Sequence, residues 1–180
     1  MGVGYFAVRG ILLSDSDSIK YAISGIQDVV VITDSGDGFY KDGSFIQHDN
    51  IPYNCGYGRS LIQELAPMLY TFKDTEFEIK NTDIINTWVE KSYLPFIYNG
   101  RTMDMVRGRE ISRYYEQSDF ACSRILSAML ILTELSEFDI LRSVIKTHLT
   151  DSFFEYASLF AVELAEGLQE DDNIEPKEIK

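Results

Sequence analysis

Residues 14–31 read SDSDSIKYAISGIQDVVV, and they carry the clearest helical pattern of the chain. The Ser-Asp run at 14–18 is rich in side chains that accept hydrogen bonds from the free N–H groups of a first helical turn. Apolar residues follow at spacings of four, three and four, at Ile19, Ile23, Ile26 and Val30. These spacings place them on one face, so the stretch predicts an amphipathic helix with its cap immediately before it.

The same pattern continues on both sides of this stretch. Further segments with apolar residues at helical spacing are 3–13, 58–72, 82–97, 119–134, 137–149 and 152–168. Ser118, Ser136 and Thr150 are the expected N-caps of the last three. Short polar breaks join the segments as in an array of helical hairpins, and their Leu, Ile, Met and Phe stripes are expected to form the core. The sequence therefore predicts an all-α fold.

Two long stretches without helical period interrupt the helices, at residues 32–57 and 98–117. Loops longer than about 12–15 residues are uncommon in compact domains and are usually functional. The first stretch contains His48 and Tyr57, two groups that can carry a proton. A single histidine is more often structural than catalytic, so these two residues alone do not indicate an active site.

The charge of the chain is uneven. Its net charge is −13 with a pI near 4.5, which argues against nucleic acid as a partner. Residues 91–113 contain five basic side chains and two acidic ones, so the net charge is +3 in this segment and −16 over the rest of the chain. The basic residues are Lys91, Arg101, Arg107, Arg109 and Arg113, and the acidic ones are Asp104 and Glu110. A basic segment on an acidic body can attract an anionic ligand. The alternative is that these arginines pair with neighbouring acids.

Metal, disulfide, secretion and membrane signals are weak. Cys55, Cys122, His48 and His148 stand at no metal-ligand spacing, and two cysteines make no disulfide framework. The Asp-containing stretches lack the glycine and glutamate positions of a calcium loop. The N-terminus has no basic region followed by an apolar run, and no apolar stretch approaches the roughly 20 residues of a membrane span. We therefore expect no metal or other cofactor, no signal peptide and no membrane partner.

Three strings in the two loops resemble a known family. They are DGFYKDGSFIQH at 37–48, YGRSLI at 57–62 and NGRTMDMVRGREISR at 99–113. With their spacing, they are similar to the family 8 polysaccharide lyases, which include hyaluronate, chondroitin and xanthan lyases, over about residues 7–135. The resemblance implies a partial (α/α) toroid of helical hairpins with two long functional loops over residues 1–169, followed by a flexible polar tail at 170–180. It also implies a parent protein that acts outside the cell or at its surface.

The resemblance assigns roles to individual residues. His48 and Tyr57 match the family's catalytic histidine and tyrosine, and Arg109 and Arg113 its active-site arginines. Arg107, Asn99 and Arg101, in the same string, are expected to bind substrate. The implied reaction is β-elimination at a uronic acid of an acidic polysaccharide. Histidine changes charge near neutral pH and suits a base, whereas a tyrosine phenol is an acid. Tyr57 is therefore expected to protonate the leaving oxygen, and whether it also removes the C5 proton stays open.

One family residue has no counterpart in this sequence. The family's carboxylate-neutralising asparagine lies some fifty residues before the histidine, and no asparagine precedes His48. Losing one preorganised group of this kind can cost about 10²–10³ in rate. We therefore expect the chain, as a piece of a catalytic domain, to be weak or inactive alone, and to form homo-oligomers through apolar helix faces left without neighbours.

Two other interpretations remain. The chain could be a non-catalytic carbohydrate-binding or vestigial protein with the lyase fold, which the absent asparagine favours. It could also be a helical scaffold for protein partners. A scaffold, however, has no need of a long glycine-rich loop that carries both His48 and Tyr57.

Overall fold

Helices dominate the part of the chain that the computed structural model describes, residues 3–80, 82–135 and 139–177. The α-helices there are α1 (Val3–Leu13), α2 (Ser16–Gln27), α3 (Arg59–Phe72), α4 (Asp83–Trp88), α5 (Ser118–Thr133), α6 (Asp139–His148), α7 (Asp151–Tyr156) and α8 (Leu159–Glu170). The predicted all-α fold is confirmed. None of these helices combines the length and hydrophobicity needed to cross a lipid bilayer.

Helix α5 is the centre of the packing. From Ala121 to Thr133 every residue except Arg124 is buried, so this helix is surrounded on nearly all sides. Helices α3, α6, α7 and α8 pack against it, while α1 and α2 pack mainly against each other. The predicted apolar stripes form this core, including Ile19, Ile23 and Ile26 on α2.

The helix ends agree with the sequence in part. The Asp15 side chain accepts hydrogen bonds from the N–H groups of Asp17 and Ser18, which confirms the predicted cap of α2. Thr150 is the N-cap residue of α7, although its side chain makes no capping hydrogen bond. Ser118 is the first residue of α5, and Gln117 takes the cap position. The predicted cap Ser136 lies outside the described residues.

Three predicted helices are shorter than expected. The helix expected to include Val30 ends at Gln27, so Val30 is buried but lies outside it. The helix expected over 82–97 ends at Trp88 and continues as a π-helical turn (Val89–Tyr93) and a 3₁₀ turn (Leu94–Phe96). The helix expected over 152–168 is two helices, because the backbone is extended at Ala157 and Ser158 and the Ser158 hydroxyl accepts the Ala161 N–H to cap α8.

The two loops contain short strands. In the first loop, β1 (Gly38–Phe39), β2 (Phe45–Gln47) and β3 (Ile51–Pro52) form an antiparallel sheet, with Phe39 opposite Phe45 and Gln47 opposite Ile51. A π-helical turn, Asn54–Gly58, leads into α3. In the second loop, β4 (Ile97–Tyr98) and β5 (Arg101–Thr102) form a hairpin, followed by 3₁₀ turns at Asp104–Val106 and Gly108–Ser112.

The polar tail is described as far as residue 177. There the Lys146 ammonium donates to the carbonyl of Asp171, and the Lys177 N–H donates to the carbonyl of Ser143. Ile174 packs against the core. This part of the tail therefore lies along α6.

Candidate active site

His48 lies at the tip of the β2–β3 hairpin in an unusual backbone conformation. His48 and Asp49 have φ of 54° and 70°, in the left-handed region that residues other than glycine seldom adopt. Asp37 holds this turn, because its carboxylate accepts hydrogen bonds from the Gln47 side chain and from the Asp49 N–H. Backbone strain of this kind is concentrated at functional sites. The imidazole is exposed to solvent.

Tyr57 lies in the π-helical turn just before α3. Single π-helical turns inserted next to α-helices are frequent at functional sites. The Asn54 side chain fixes the start of this turn, since it accepts the Phe45 N–H and donates to the carbonyls of Gly43 and Ser92. The Tyr57 ring is half-buried and meets the His48 ring edge-on, with 5.3 Å between centroids and 83° between planes.

Arg109 comes from the second loop and completes the group. Its Nη2 lies 3.3 Å from His48 Nε2, and because a guanidinium can only donate, Nε2 is the acceptor in this contact. Hydrogen bonds to the hydroxyls of Tyr53, first, and of Tyr57 raise the pKa of Arg109 above its ordinary value. We call His48, Tyr57 and Arg109 the His48 cluster.

Arg113 and Arg107 lie outside this cluster. The half-exposed Arg113 guanidinium pairs with Glu116 and lies 3.6 Å from Glu110 Oε1, and the Glu116 carboxylate raises the pKa of Arg113. The Arg107 side chain is 1% exposed; it pairs with Asp104 and donates to the carbonyls of Glu110 and Glu116. Arg107 therefore holds its own loop together.

Asn99 and Arg101 lie in the β4–β5 hairpin. Asn99 and Gly100 form its two-residue turn, with φ of 47° and 70°, the turn for which Asn-Gly is the preferred sequence. Gly100 packs closely against Thr150. With Asp119, Asn99 and Arg101 line an open pocket of about 570 Å³ that does not include the His48 cluster.

Several residues of the site region were not predicted as site residues. Tyr53 is buried, accepts the Arg109 N–H on its hydroxyl at 2.7 Å, and meets the rings of both His48 and Tyr57 edge-on. Glu110 is buried and pairs with the buried Arg59 at 3.2 Å. Glu110 lies inside the third matching string, next to Arg109, whereas Tyr53 lies between the first two strings, and sequence alone does not reveal burial or pairing.

A second pocket opens beside Tyr57. It has a volume of about 370 Å³ and carries three carboxylates, those of Asp28, Asp37 and Glu64, next to the apolar Val29 and Leu61. Tyr57 therefore lines an acidic pocket and is also close enough to Arg109 to affect the pKa of its guanidinium.

Two further kinds of site concern groups that could hold a metal ion and the two cysteine thiols. Within them, no group of three or more His, Cys, Asp or Glu side chains is arranged to hold a metal ion. Cys55 and Cys122 are buried and unpaired. Burial raises the pKa of the Cys55 thiol to about 12 and raises that of Cys122 as well, so neither thiol ionises readily.

Comparison with known proteins places the chain among the polysaccharide lyases. Residues 3–147 match the family model described as polysaccharide lyase family 8, N terminal alpha-helical domain. A xanthan lyase of Bacillus sp. (strain GL1) is 31% identical over 94% of this chain and 19% of its own length. A hyaluronate lyase of Thermasporomyces composti is 36% identical over 71% of this chain and 17% of its own length.

A solved structure is similar as well. The chondroitin AC lyase of Streptomyces coelicolor A3, in complex with chondroitin sulphate, superposes with a TM-score of 0.86 at 25% identity, over 97% of this chain and 26% of that one. The chain thus spans about a fifth of the length of the two relatives above. On the match over residues 3–147, it belongs to polysaccharide lyase family 8.

Proposed function

We propose that the His48 cluster carries the proton transfers of a β-elimination at a uronic acid in an acidic polysaccharide. The observation that carries the proposal is the convergence of an imidazole, a phenol and a guanidinium from two loops, with His48 Nε2 3.3 Å from Arg109 and the Tyr57 ring edge-on to His48. These groups provide a base, an acid and a cation, which is what the reaction requires.

The reaction removes the proton at C5 and breaks the bond between C4 and O4. The electron pair of the C5–H bond forms a C4–C5 double bond, and O4 leaves with a proton. His48 is the proposed base, because the Arg109 N–H directed at Nε2 favours the tautomer with a lone pair there. Tyr57 is the proposed acid that protonates O4. The positive charge of the Arg109 guanidinium would stabilise the negative charge that develops on the Tyr57 oxygen as it gives up this proton.

Arg109 is also the proposed partner of the substrate carboxylate. A uronate carboxylate attracts the guanidinium more strongly than a neutral imidazole does, since the contact is charge-assisted and can be bidentate. Binding would therefore draw Arg109 away from Nε2 and free the base, while neutralising the carboxylate makes the C5 proton more acidic. Arg113 is the proposed second cation of the site, reached once substrate competes with Glu116.

Three further predicted residues have separate proposed roles. Asn99 and Arg101, exposed on the β4–β5 hairpin, would contact sugar groups away from the reacting uronate. Arg107 would act on substrate only through the loop that it fixes, because its guanidinium is buried. We propose an anionic polysaccharide as the substrate because the basic segment 91–113 contrasts with the acidic remainder of the chain.

The expected rate for this chain alone is low. In the cluster, Arg109 is exposed and must serve His48, Tyr57 and the substrate carboxylate together. An asparagine that binds the substrate carboxylate, as the family resemblance implies, would leave Arg109 to contact only His48 and Tyr57. Without such a group we expect a rate lower by about 10²–10³.

The test is a β-elimination assay at high protein concentration with hyaluronan, chondroitin or xanthan, following the ultraviolet absorbance of the unsaturated uronate product. We expect slow turnover that His48→Ala and Tyr57→Phe abolish, while the control Tyr21→Phe, an exposed phenol on α2, keeps it. Retained activity in His48→Ala would transfer the base role to Tyr57. Binding without product, seen by titration calorimetry, would favour the non-catalytic carbohydrate-binding alternative. Rapid wild-type turnover would contradict the expected low rate.

A further inference from the structure

Tyr53 joins the two loops that supply the His48 cluster. It belongs to the first loop, with its N–H donating to the Phe45 carbonyl at 2.8 Å and its own carbonyl accepting the N–H groups of Gly56 and Gly58. Its hydroxyl accepts the backbone N–H of Arg109, from the second loop, at 2.7 Å. Tyr53 is thus anchored in one loop and bonded to the other.

The Tyr53 ring has no room to move. It is 1% exposed. A Cβ at either Gly56 or Gly108 would overlap it, and Gly108 also has a φ of 54°, which glycine alone adopts without strain. One of these glycines lies in each loop, so the ring is held between the two backbones. Its position therefore fixes the separation of the loops.

The same ring meets the other members of the cluster. Its centroid lies 4.9 Å from that of Tyr57 and 6.2 Å from that of His48, both with edge-on geometry. The pKa of Arg109 is raised above its ordinary value, with Tyr53 as the larger cause and Tyr57 as the smaller one. The backbone N–H of Arg109 is thus fixed on the Tyr53 hydroxyl, and from this backbone position the side chain brings Nη2 to 3.3 Å from His48 Nε2.

We propose that Tyr53 is a positioning residue, whose buried hydroxyl sets the Arg109 guanidinium between His48 and Tyr57. The proposal rests on the proposed function for its catalytic meaning, but its geometric content can be measured without turnover. Tyr53 itself does not transfer a proton to the sugar in this scheme, because its ring is enclosed by protein.

The direct experiment is nuclear magnetic resonance on wild type, Tyr53→Phe and Tyr93→Phe. Tyr53→Phe keeps the ring and removes only the acceptor of the Arg109 N–H. We expect the Arg109 amide to exchange with solvent about tenfold faster, as for the loss of one hydrogen bond, and the His48 Nε2 resonance to move. Tyr93→Phe is the matched control, because it also removes a buried phenol, one that donates to the Gly58 carbonyl at 2.7 Å. It should leave both signals of Arg109 and His48 unchanged.

Three outcomes would overturn the proposal. The first is that Tyr53→Phe keeps the wild-type exchange rate of the Arg109 amide and the wild-type His48 Nε2 resonance. The second is that Tyr93→Phe changes these two signals as much as Tyr53→Phe does. If Tyr53→Phe does not fold, the test is made on the wild-type protein. A cross-relaxation signal between the Arg109 amide proton and the Tyr53 ring supports the contact, and the absence of this signal is the third outcome that overturns the proposal. A wild-type chain that binds a polyuronate without cleaving it would favour the non-catalytic alternative to the proposed function and leave these measurements intact.

Where turnover is measurable, kinetics add a readout specific to positioning. We expect Tyr53→Phe to lower kcat about tenfold with little change in KM, since the substrate still meets Arg109 but in a less ordered geometry. An unchanged kcat would count against the positioning role.

Discussion

The residue that combines most constraints is His48. It is exposed, lies in the left-handed region with φ of 54°, and is followed by a second left-handed residue, Asp49. A turn of this kind is held by its surroundings, here by the carboxylate of Asp37 and by the rings of Tyr53 and Tyr57. The imidazole of His48 lies next to Arg109, so we infer that the strained backbone conformation costs some stability and serves to place the proposed base.

Replacing His48 should reveal this cost. A left-handed backbone costs a residue with a Cβ about 1–2 kcal/mol, so we expect His48→Gly to be more stable than His48→Ala by about 1 kcal/mol in urea unfolding. The paired control is Gln47, which lies in β2, where Gln47→Gly should be less stable than Gln47→Ala by about 0.5–1 kcal/mol. If the alanine variant were more stable than the glycine variant at His48, as it is expected to be at Gln47, there would be no evidence for backbone strain at His48.

Glu110 offers a second test at this scale. Its side chain, 7% exposed, neutralises the equally buried Arg59. Removing one partner of a buried ion pair leaves an uncompensated charge, so Glu110→Gln should lower the free energy of unfolding by about 3 kcal/mol. Glu116→Gln, which affects the half-exposed Arg113, should cost about 1 kcal/mol or less. Similar losses in the two variants would argue that the Arg59–Glu110 pair is solvated.

These side chains also mark the limit of sequence reasoning at the site. The matching strings predicted His48, Tyr57 and Arg109 as functional residues, and the structure brings these three together. They could not reveal which arginines are engaged by the protein itself. Arg107 and Arg113 look equivalent to Arg109 in sequence. Each pairs with an acid three residues away, Asp104 or Glu116, which is the alternative that the sequence left open, but spacing alone did not show which arginines would pair.

At the scale of elements, the sequence predicted most helices and missed what interrupts them. Apolar spacing and the Asp15 cap were sufficient for α2, because these signals act within one helical turn. The π-helical turn at Asn54–Gly58 and the short strands of the first loop have no such local signal. They depend on the Asn54 side chain reaching the carbonyl of Ser92, a contact far along the chain.

The cap of α2 predicts a dependence of stability on acid. Hydrogen bonds from Ser18, through its hydroxyl first and then its N–H, lower the pKa of Asp15 below its ordinary value of 3.8. A lowered folded-state pKa means that the cap contributes fully above about pH 4 and that its contribution is lost as the pH falls through the lower folded value. Unfolding midpoints in urea should therefore fall more steeply below pH 4 in wild type than in Asp15→Asn.

The Asp15→Asn variant is chosen because asparagine caps helices as well as aspartate but does not titrate. Asp15→Ala should lower the midpoint at all pH values, since it removes the cap itself. Asp42 and Asp171, whose pKa values are also lowered by hydrogen bonds, titrate in all three proteins and cancel in the comparison. Parallel curves for wild type and Asp15→Asn would show that Asp15 contributes no acid dependence.

At the scale of the whole molecule, the charge and the apolar surface are both unevenly placed. The net charge of −13 spreads over most of the chain, whereas α1 has Arg9 as its one charged residue. The exposed side of α1 is apolar, with Tyr5, Val8, Ile11, Leu12 and Leu13 all open to solvent. A contact between two copies through α1 would bury this apolar surface and bring only one charged residue of each α1, Arg9, into the contact.

We therefore expect the chain to self-associate through α1. Light scattering should give a mass that rises above 20.6 kDa with concentration. Leu12→Glu, at a leucine 77% exposed on α1, should bring the mass back to that of one chain, because each copy would then place a carboxylate in the contact. The matched control is Leu159→Glu, at a leucine 86% exposed on α8, which should associate as wild type does. A wild-type mass of one chain at the highest concentration would contradict self-association, and equal dissociation by both variants would place the contact elsewhere than α1.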